Sequence, residues 1–344
     1  MYRILPMLAT LLLLTVFKPS LAQNFENPGE YMDFINKQQE AVSKKFLAYS
    51  SASAHGKRQK KVETLREKLL NQIQESRMNV SGMPSFKGDK SYRDTAVNFM
   101  KFYFNVMNDD YSKIINMEEI AEKSYDAMEA YILMEEQVQD KLKEGNERMH
   151  TAQKAFAANT NIRLLEDKTE LGEMMKEVGE NSRYYHTVYL VFFKPAIQED
   201  NLMEALKKDN ITAMEQAKGA MVKYAQEGLE KLKTMQAYKG DNSLRQACVN
   251  SLNFYVKEGE KMNTFSEFSL AKERFENIKK EFDKNRNRSQ QDVDAYNKAV
   301  NEYNKANNNY NTVNQSLNEL RSQQIKNWNE AVKNFFDNHT PHYK

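Results

Sequence analysis

The chain is 344 residues long and carries 50 Lys and Arg against 48 Asp and Glu, with one cysteine. That near-balance lacks the basic surplus of a nucleic-acid binder, and the lone Cys248 excludes an intramolecular disulfide. Only 11 glycines and 6 prolines, set among abundant Lys, Glu, Gln, Ala, Leu and Met, favour helix, and no sustained Val/Ile/Thr alternation supports strands.

Residues 1–22 read as a secretory signal peptide. Arg3 precedes an apolar run from Ile4 to Phe17, and Ser20-Leu21-Ala22 supplies a small-residue cleavage site. The run is about 14 residues, short of the roughly 20 that a helical span needs. An exported chain beginning at Gln23 is therefore expected, periplasmic, cell-surface or secreted, with no transmembrane span. Removal of the leader takes away Arg3 and Lys18 and leaves 48 basic against 48 acidic residues.

Helices are expected near 30–50, 56–79, 90–108 and 117–160, forming a first bundle over 23–165. Four more, near 183–206, 209–235, 243–285 and 289–338, form a second over 166–344. The division rests on a repeat: MPSFKGDKSYRDTAVNFMKFY from Met83 to Tyr103 recurs as MQAYKGDNSLRQACVNSLNFY from Met235 to Tyr255, with 10 of 21 positions identical. Composition alone gives about one or two matches. The fold class that follows is all-α, a tandem duplication of a four-helix unit with a long C-terminal helix.

Capping boxes mark the helix starts at Ser91-x-x-Asp94, Thr212-x-x-Glu215, Ser243-x-x-Gln246, Thr264-x-x-Glu267 and Ser289-x-x-Asp292. Apolar residues then recur at helical spacing, as in Phe268, Ala271, Phe275, Ile278 and Phe282. Between Tyr184 and Ala196 the sequence YYHTVYLVFFKPA is the most apolar part after the leader, and Pro195 predicts a buried, kinked helix there. From Tyr296 through Tyr303, Tyr310 and Leu317 to Trp328 and Phe335, steps of three and four predict one helix that braces its own bundle and projects at one end.

The repeated Lys-Gly-Asp-x-Ser-x-Arg supplies the candidate ligand or partner loops: Lys87, Gly88, Asp89, Ser91 and Arg93, and Lys239, Gly240, Asp241, Ser243 and Arg245. Backbone N–H groups at a helix start, flanked by Lys and Arg, suit a small anion. The structural alternative has Gly at positive φ, Ser as cap, and Arg paired with the Asp four residues earlier, and it is the weightier of the two. Cys248 stands where the first copy has Ala96, which points to a small, buried, inert thiol. Glu147-x-x-His150 is the sole Glu-x-x-His, too little for a di-metal carboxylate site. His339 and His342 lie at a C-terminus expected to fray. No catalytic, metal or cofactor motif is present, so neither enzymatic activity nor a cofactor is expected.

A signal peptide followed by helical repeats resembles the uncharacterised all-helical exported and surface-protein families of Gram-negative bacteria, which implies export and an all-helical fold. The first functional expectation is a non-enzymatic protein that binds a protein or envelope partner. The alternative is a small-molecule carrier or sensor with its pocket inside one bundle or between the two, where the Tyr184–Ala196 segment lines an apolar cavity. The partner's identity and the oligomeric state stay open at this level.

Overall fold

The computed structural model describes residues 25–164 and 169–343, and they form an all-α fold. Both the expected leader and the expected boundary at 165/166 lie outside the described residues. The helices are α1 (Pro28–Ala54), α2 (Gln59–Ser81), α3 (Ser91–Asn105), α4 (Tyr111–Ala121), α5 (Tyr125–Asn159), α6 (Glu170–Lys207), α7 (Ile211–Thr234), α8 (Ser243–Lys261), α9 (Asn263–Lys284) and α10 (Gln290–His339). No described helix is long and apolar enough to cross a membrane.

Several boundaries correct the sequence reading. A π-helical turn at Val106–Asp110 carries α3 into α4, and Ser124 then starts α5 by accepting the Ala127 N–H, so the helix expected at 117–160 is in fact two. The helix expected at 243–285 also divides, at Met262. α6 begins at Glu170 rather than near 183 because the Thr169 hydroxyl accepts the Gly172 N–H, a cap with no answering acid or amide three residues on.

Of the five expected capping boxes, Ser289–Asp292 forms completely. Ser91 and Ser243 are first helical residues rather than caps: the Asp89 and Asp241 carboxylates accept their N–H groups at 2.8 and 2.7 Å. Asn210 takes the role expected of Thr212, and α9 starts without a side-chain cap, directly after α8.

Two main cores result. The first gathers Ile35, Leu69, Ile73, Met100 and Phe156 from α1, α2, α3 and α5, and the second gathers Val188, Met221, Ala225, Leu252 and Phe335 from α6, α7, α8 and α10. The burial register matches between them. At the repeat's offset of 152, Leu69, Ile73, Val80, Ala96 and Met100 face their cores as Met221, Ala225, Leu232, Cys248 and Leu252 do. An offset of 153 relates α1 to α6 through Ile35 and Val188 or Ala52 and Ala205, and one of 179 relates α5 to α10 through Met149 and Trp328 or Phe156 and Phe335. Phe86 packs on Tyr31 and Phe156 at 5.4 and 5.5 Å, as Tyr238 packs on Tyr184 and Phe335 at 5.2 and 5.3 Å.

α9 pairs with the N-terminal half of α10 as a helical hairpin. Phe268, Phe275 and Phe282 recur every seven residues and meet Tyr310, Tyr303 and Tyr296 at 4.6, 5.1 and 4.4 Å, an aromatic seam of two antiparallel helices with heptad spacing. α10 has 50 residues and is about 75 Å long, enough to run from this hairpin through the second core.

Close helix packing in the second core depends on missing side chains at Gly228 and, most tightly, Gly259. A Cβ at Gly259 of α8 collides with Val222 Cγ2 of α7, and a β-branched side chain has little freedom to move aside. Gly259→Ala is expected to lose about 1–3 kcal/mol by overpacking. Urea unfolding of Gly259→Ala, Val222→Ala and the double variant checks this: the double variant loses less than the sum of the two single losses.

Candidate functional site

A partly open cleft of about 1730 Å³ lies between the first core and the N-terminal half of α6. Its walls include Phe46 and Tyr49 of α1, Tyr103 of α3, Tyr111 of α4, Ile132, Glu135, Gln139 and Leu142 of α5, Tyr185, His186 and Tyr189 of α6, and Phe336 of α10. α6 closes it with its first turns. At the 153 offset Pro28, where α1 begins, matches Asn181, and among the described residues 178–180 of α6 stand opposite the non-helical 25–27.

Glu135 of α5 lines the cleft. His186 Nε2 lies 3.1 Å from its Oε2, and His186 Nδ1 lies 3.9 Å from Glu136 Oε1. Tyr131 Oη donates to Glu135 Oε1 at 3.4 Å. Burial, reinforced by the Glu135 charge, pushes Tyr49 up to about 12 and raises Tyr111 and Tyr185 as well, so these phenols stay neutral. Tyr103 and His186 are only 5% and 8% exposed, and Tyr103 Oη, Gln139 Oε1 and His186 Nδ1 have no hydrogen-bond partner. Buried polar atoms are ordinarily satisfied, and three such atoms on one wall single this place out.

Comparison of the chain with protein-family models, curated proteins and solved structures returns no match. The reading of the site therefore rests on its geometry, and the two halves of the chain supply the most direct comparison.

At the offsets above, Phe46, Val106 and Leu142 of the first unit correspond to Glu199, Glu258 and Arg321 of the second. Those three form a buried cluster. Arg321 Nε donates to Glu258 Oε1 at 2.7 Å and lies 3.2 Å from Glu199 Oε1, while Glu258 is fully buried. Burial pushes Glu199 up to about 8, with the Glu258 charge adding to the rise and Arg321 opposing it. Burial raises Glu258 too, again against Arg321. Of the two carboxyls, Glu199 is the one whose burial and whose neighbour's charge both favour the protonated form. Where the second unit is filled by this triad, the first has Phe46 and Leu142 bordering the cleft.

The loop residues singled out in the sequence lie elsewhere and line no part of the cleft. Lys87 and Gly88 (φ 48° and 90°) and Lys239 and Gly240 (φ 48° and 88°) make two-residue turns with positive φ at both places. Each turn is closed by paired backbone bonds, Phe86 with Asp89 and Tyr238 with Asp241. The expected Arg–Asp pairing is corrected. Arg93 donates to the Met83 carbonyl and pairs with Asp94, and Arg245 donates to the Leu232 and Met235 carbonyls, because the free carbonyls ending the preceding segment are the nearer acceptors. Lys239 pairs with Glu177 at 2.9 Å, and Lys87 lies over the Phe86 ring.

Glu147 and His150 both line the cleft, but no group of three His, Cys, Asp or Glu suited to a metal occurs among the described residues. Cys248 is fully buried, and burial pushes its thiol up. The C-terminus does not fray as expected. Asn181 Nδ2 donates to the His339 carbonyl at 2.7 Å, His342 stacks on His55 at 3.9 Å, and the Tyr343 N–H donates to Ser51 Oγ at 3.1 Å. These contacts give Ser51 Oγ of α1 a donor and hold the tail beside the cleft.

The Tyr184–Ala196 segment does line a cavity, through Tyr185, His186 and Tyr189. Glu135 and Gln139 carried no signal in the sequence, and His186 was visible only as part of that apolar run. They stand on different helices and belong to no motif.

Proposed function

We propose that this chain is an exported, non-enzymatic binding protein, derived by duplication of one helical unit, that carries or senses a small molecule in the cleft beside α6. The observation that supports the reading is the asymmetry between the two units. Two of the three positions filled by a charged triad in one unit, those of Phe46 and Leu142, border a space of about 1730 Å³ in the other, more than the roughly 300–1,000 Å³ of a usual ligand pocket. A space that the same scaffold is able to close, left open and walled with tyrosine, fits the retention of a ligand. The matched burial register supports the duplication.

Gly179 provides the test. It lines the cleft, and a Cβ built there meets nothing within 4 Å, so Gly179→Trp introduces an indole into the cleft with no clash at its point of attachment. Saturable, one-to-one binding of the apolar fluorophore N-phenyl-1-naphthylamine is expected for the natural chain. In Gly179→Trp it weakens about tenfold or more, while thermal stability holds or rises because Gly in a helix interior costs up to about 1 kcal/mol. Unchanged binding in the variant overturns the reading. The α9–α10 hairpin favours a second reading, partner binding at the envelope, and under it Gly179→Trp leaves the protein's behaviour in cells unaltered.

A further inference from the structure

We infer that the ligand of the cleft is an organic amine, an ammonium head on an apolar body, with Glu135 as the anchor of the head. The inference rests on the ligand-binding reading above and adds the chemistry of the ligand.

The charges facing the cleft point this way. Lys176 pairs with Glu180, Arg183 with Asp140, and Glu63 with Arg66. Lys60, Lys143, Glu122, Glu147 and His150 are exposed residues, of both signs. Glu135 is different: its side chain keeps a quarter of its surface open, and the cation-forming group beside it is the His186 imidazole. Its carboxylate faces largely apolar and aromatic walls, where a partly desolvated charge gains from a counter-charge.

The polar atoms agree. His186 Nε2 lies 3.1 Å from a carboxylate oxygen, and with the ring proton there the unpartnered Nδ1 is an acceptor. Gln139 lies one helical turn beyond Glu135 on the same face of α5, and its unpartnered atom is the amide oxygen, also an acceptor. Two of the three unsatisfied groups on this wall thus call for a donor, and the third, the Tyr103 hydroxyl, is able to accept from one. The rings of Tyr49, Tyr111 and Tyr185 present negative π faces that attract a cation, and Phe46 and Leu142 offer the body an apolar bed. A carboxylate-bearing ligand meets repulsion from Glu135, and a neutral one leaves it unpaired.

Dansylcadaverine, a fluorophore with a primary amine tail, and its N-acetyl derivative have the same body and differ in charge. Titrated into the full-length natural chain, the amine is expected to bind at least about tenfold more tightly than the acetylated probe. Glu135→Gln, checked for an unchanged melting curve, is expected to abolish that difference and leave the acetylated probe's affinity as it was. Equal affinity of the two probes for the natural chain overturns the amine inference and leaves the cleft reading standing. So does failure of both dansyl probes where N-phenyl-1-naphthylamine still binds. If none of the three probes binds, both fall. The comparison of probes on the natural chain decides the matter even if the variant does not fold.

Discussion

Arg321→Ala is expected to cost about 3–5 kcal/mol of folding stability, because it leaves the buried Glu258 carboxylate, beside the Glu199 carboxyl, with no cation. The exposed ion pairs of this chain have no comparable effect; such pairs are worth about 0–1 kcal/mol. The first unit shows how the loss is repaired. It fills the same three positions with Phe46, Val106 and Leu142, so the triple variant Glu199→Phe, Glu258→Val, Arg321→Leu is expected to regain the loss of Arg321→Ala. It should match or exceed the natural chain, as apolar replacements of buried ion clusters often do by about 1–4 kcal/mol. Urea unfolding of the three proteins measures this. A triple variant less stable than Arg321→Ala shows that the two sites are not equivalent.

The same cluster makes stability depend on pH, with a definite sign. The Glu199 carboxyl is raised from 4.5 to about 8 in the folded chain, chiefly by burial. Above about pH 4.5 the unfolded chain releases this proton and the folded chain keeps it, so folding binds a proton and stability falls as pH rises. The contribution is fully present below about 4.5 and is lost progressively up to about 8. Urea midpoints compared near pH 5.5 and near pH 8.5 should therefore drop for the natural chain by more than for the triple variant, which has no group to titrate there.

How much of this was legible in the sequence depends on the kind of signal. The heptads of Phe268, Phe275 and Phe282 and of Tyr296, Tyr303 and Tyr310 stand in the sequence as stripes needing a partner, and the turn between α9 and α10 brings each to the other. The repeat located Phe86 and Tyr238 in equivalent surroundings, because the Lys-Gly-Asp turn that places them is the same in both stretches. Helix ends were less legible. Asp89, Thr169 and Asn210 cap through contacts that a Ser/Thr-x-x-acid pattern does not describe.

The cleft was hidden for a different reason. Glu135 and His186 meet only through the packing of α5 against α6, and the correspondence of Phe46 with Glu199 or of Leu142 with Arg321 spans chemically unlike residues. It emerges only from burial registers, 153 residues apart in one helix pair and 179 in the other. A search for motifs passes over such positions because the side chains at matched sites have opposite character.

Phe335→Ala and Phe156→Ala are each expected to destabilise the protein by about 3–5 kcal/mol, the loss typical of a buried phenylalanine. Phe335, 1% exposed, packs against Tyr184 at 5.6 Å, Tyr238 at 5.3 Å, Phe336 at 5.6 Å and His339 at 5.0 Å. Phe156, 3% exposed, packs against Tyr31 at 5.4 Å, Phe86 at 5.5 Å and Tyr92 at 5.1 Å. Each ring joins the last helix of its unit to the first helix and to the turn before the third. Truncation opens a cavity that the rigid two-residue turn cannot collapse to fill, which puts both losses toward the upper end of that range. The two rings belong to separate cores and share no neighbour, so the losses should be similar and should add in the double variant to within about 0.5 kcal/mol. Phe335→Ala has one consequence that Phe156→Ala lacks: His339 loses a ring contact beside its 2.8 Å pairing with Asp241, and the tail that runs on to Ser51 loosens. Limited proteolysis should then cut the C-terminus in Phe335→Ala and spare it in Phe156→Ala. Equal cleavage of both would mean that the tail is held by something other than this aromatic nest.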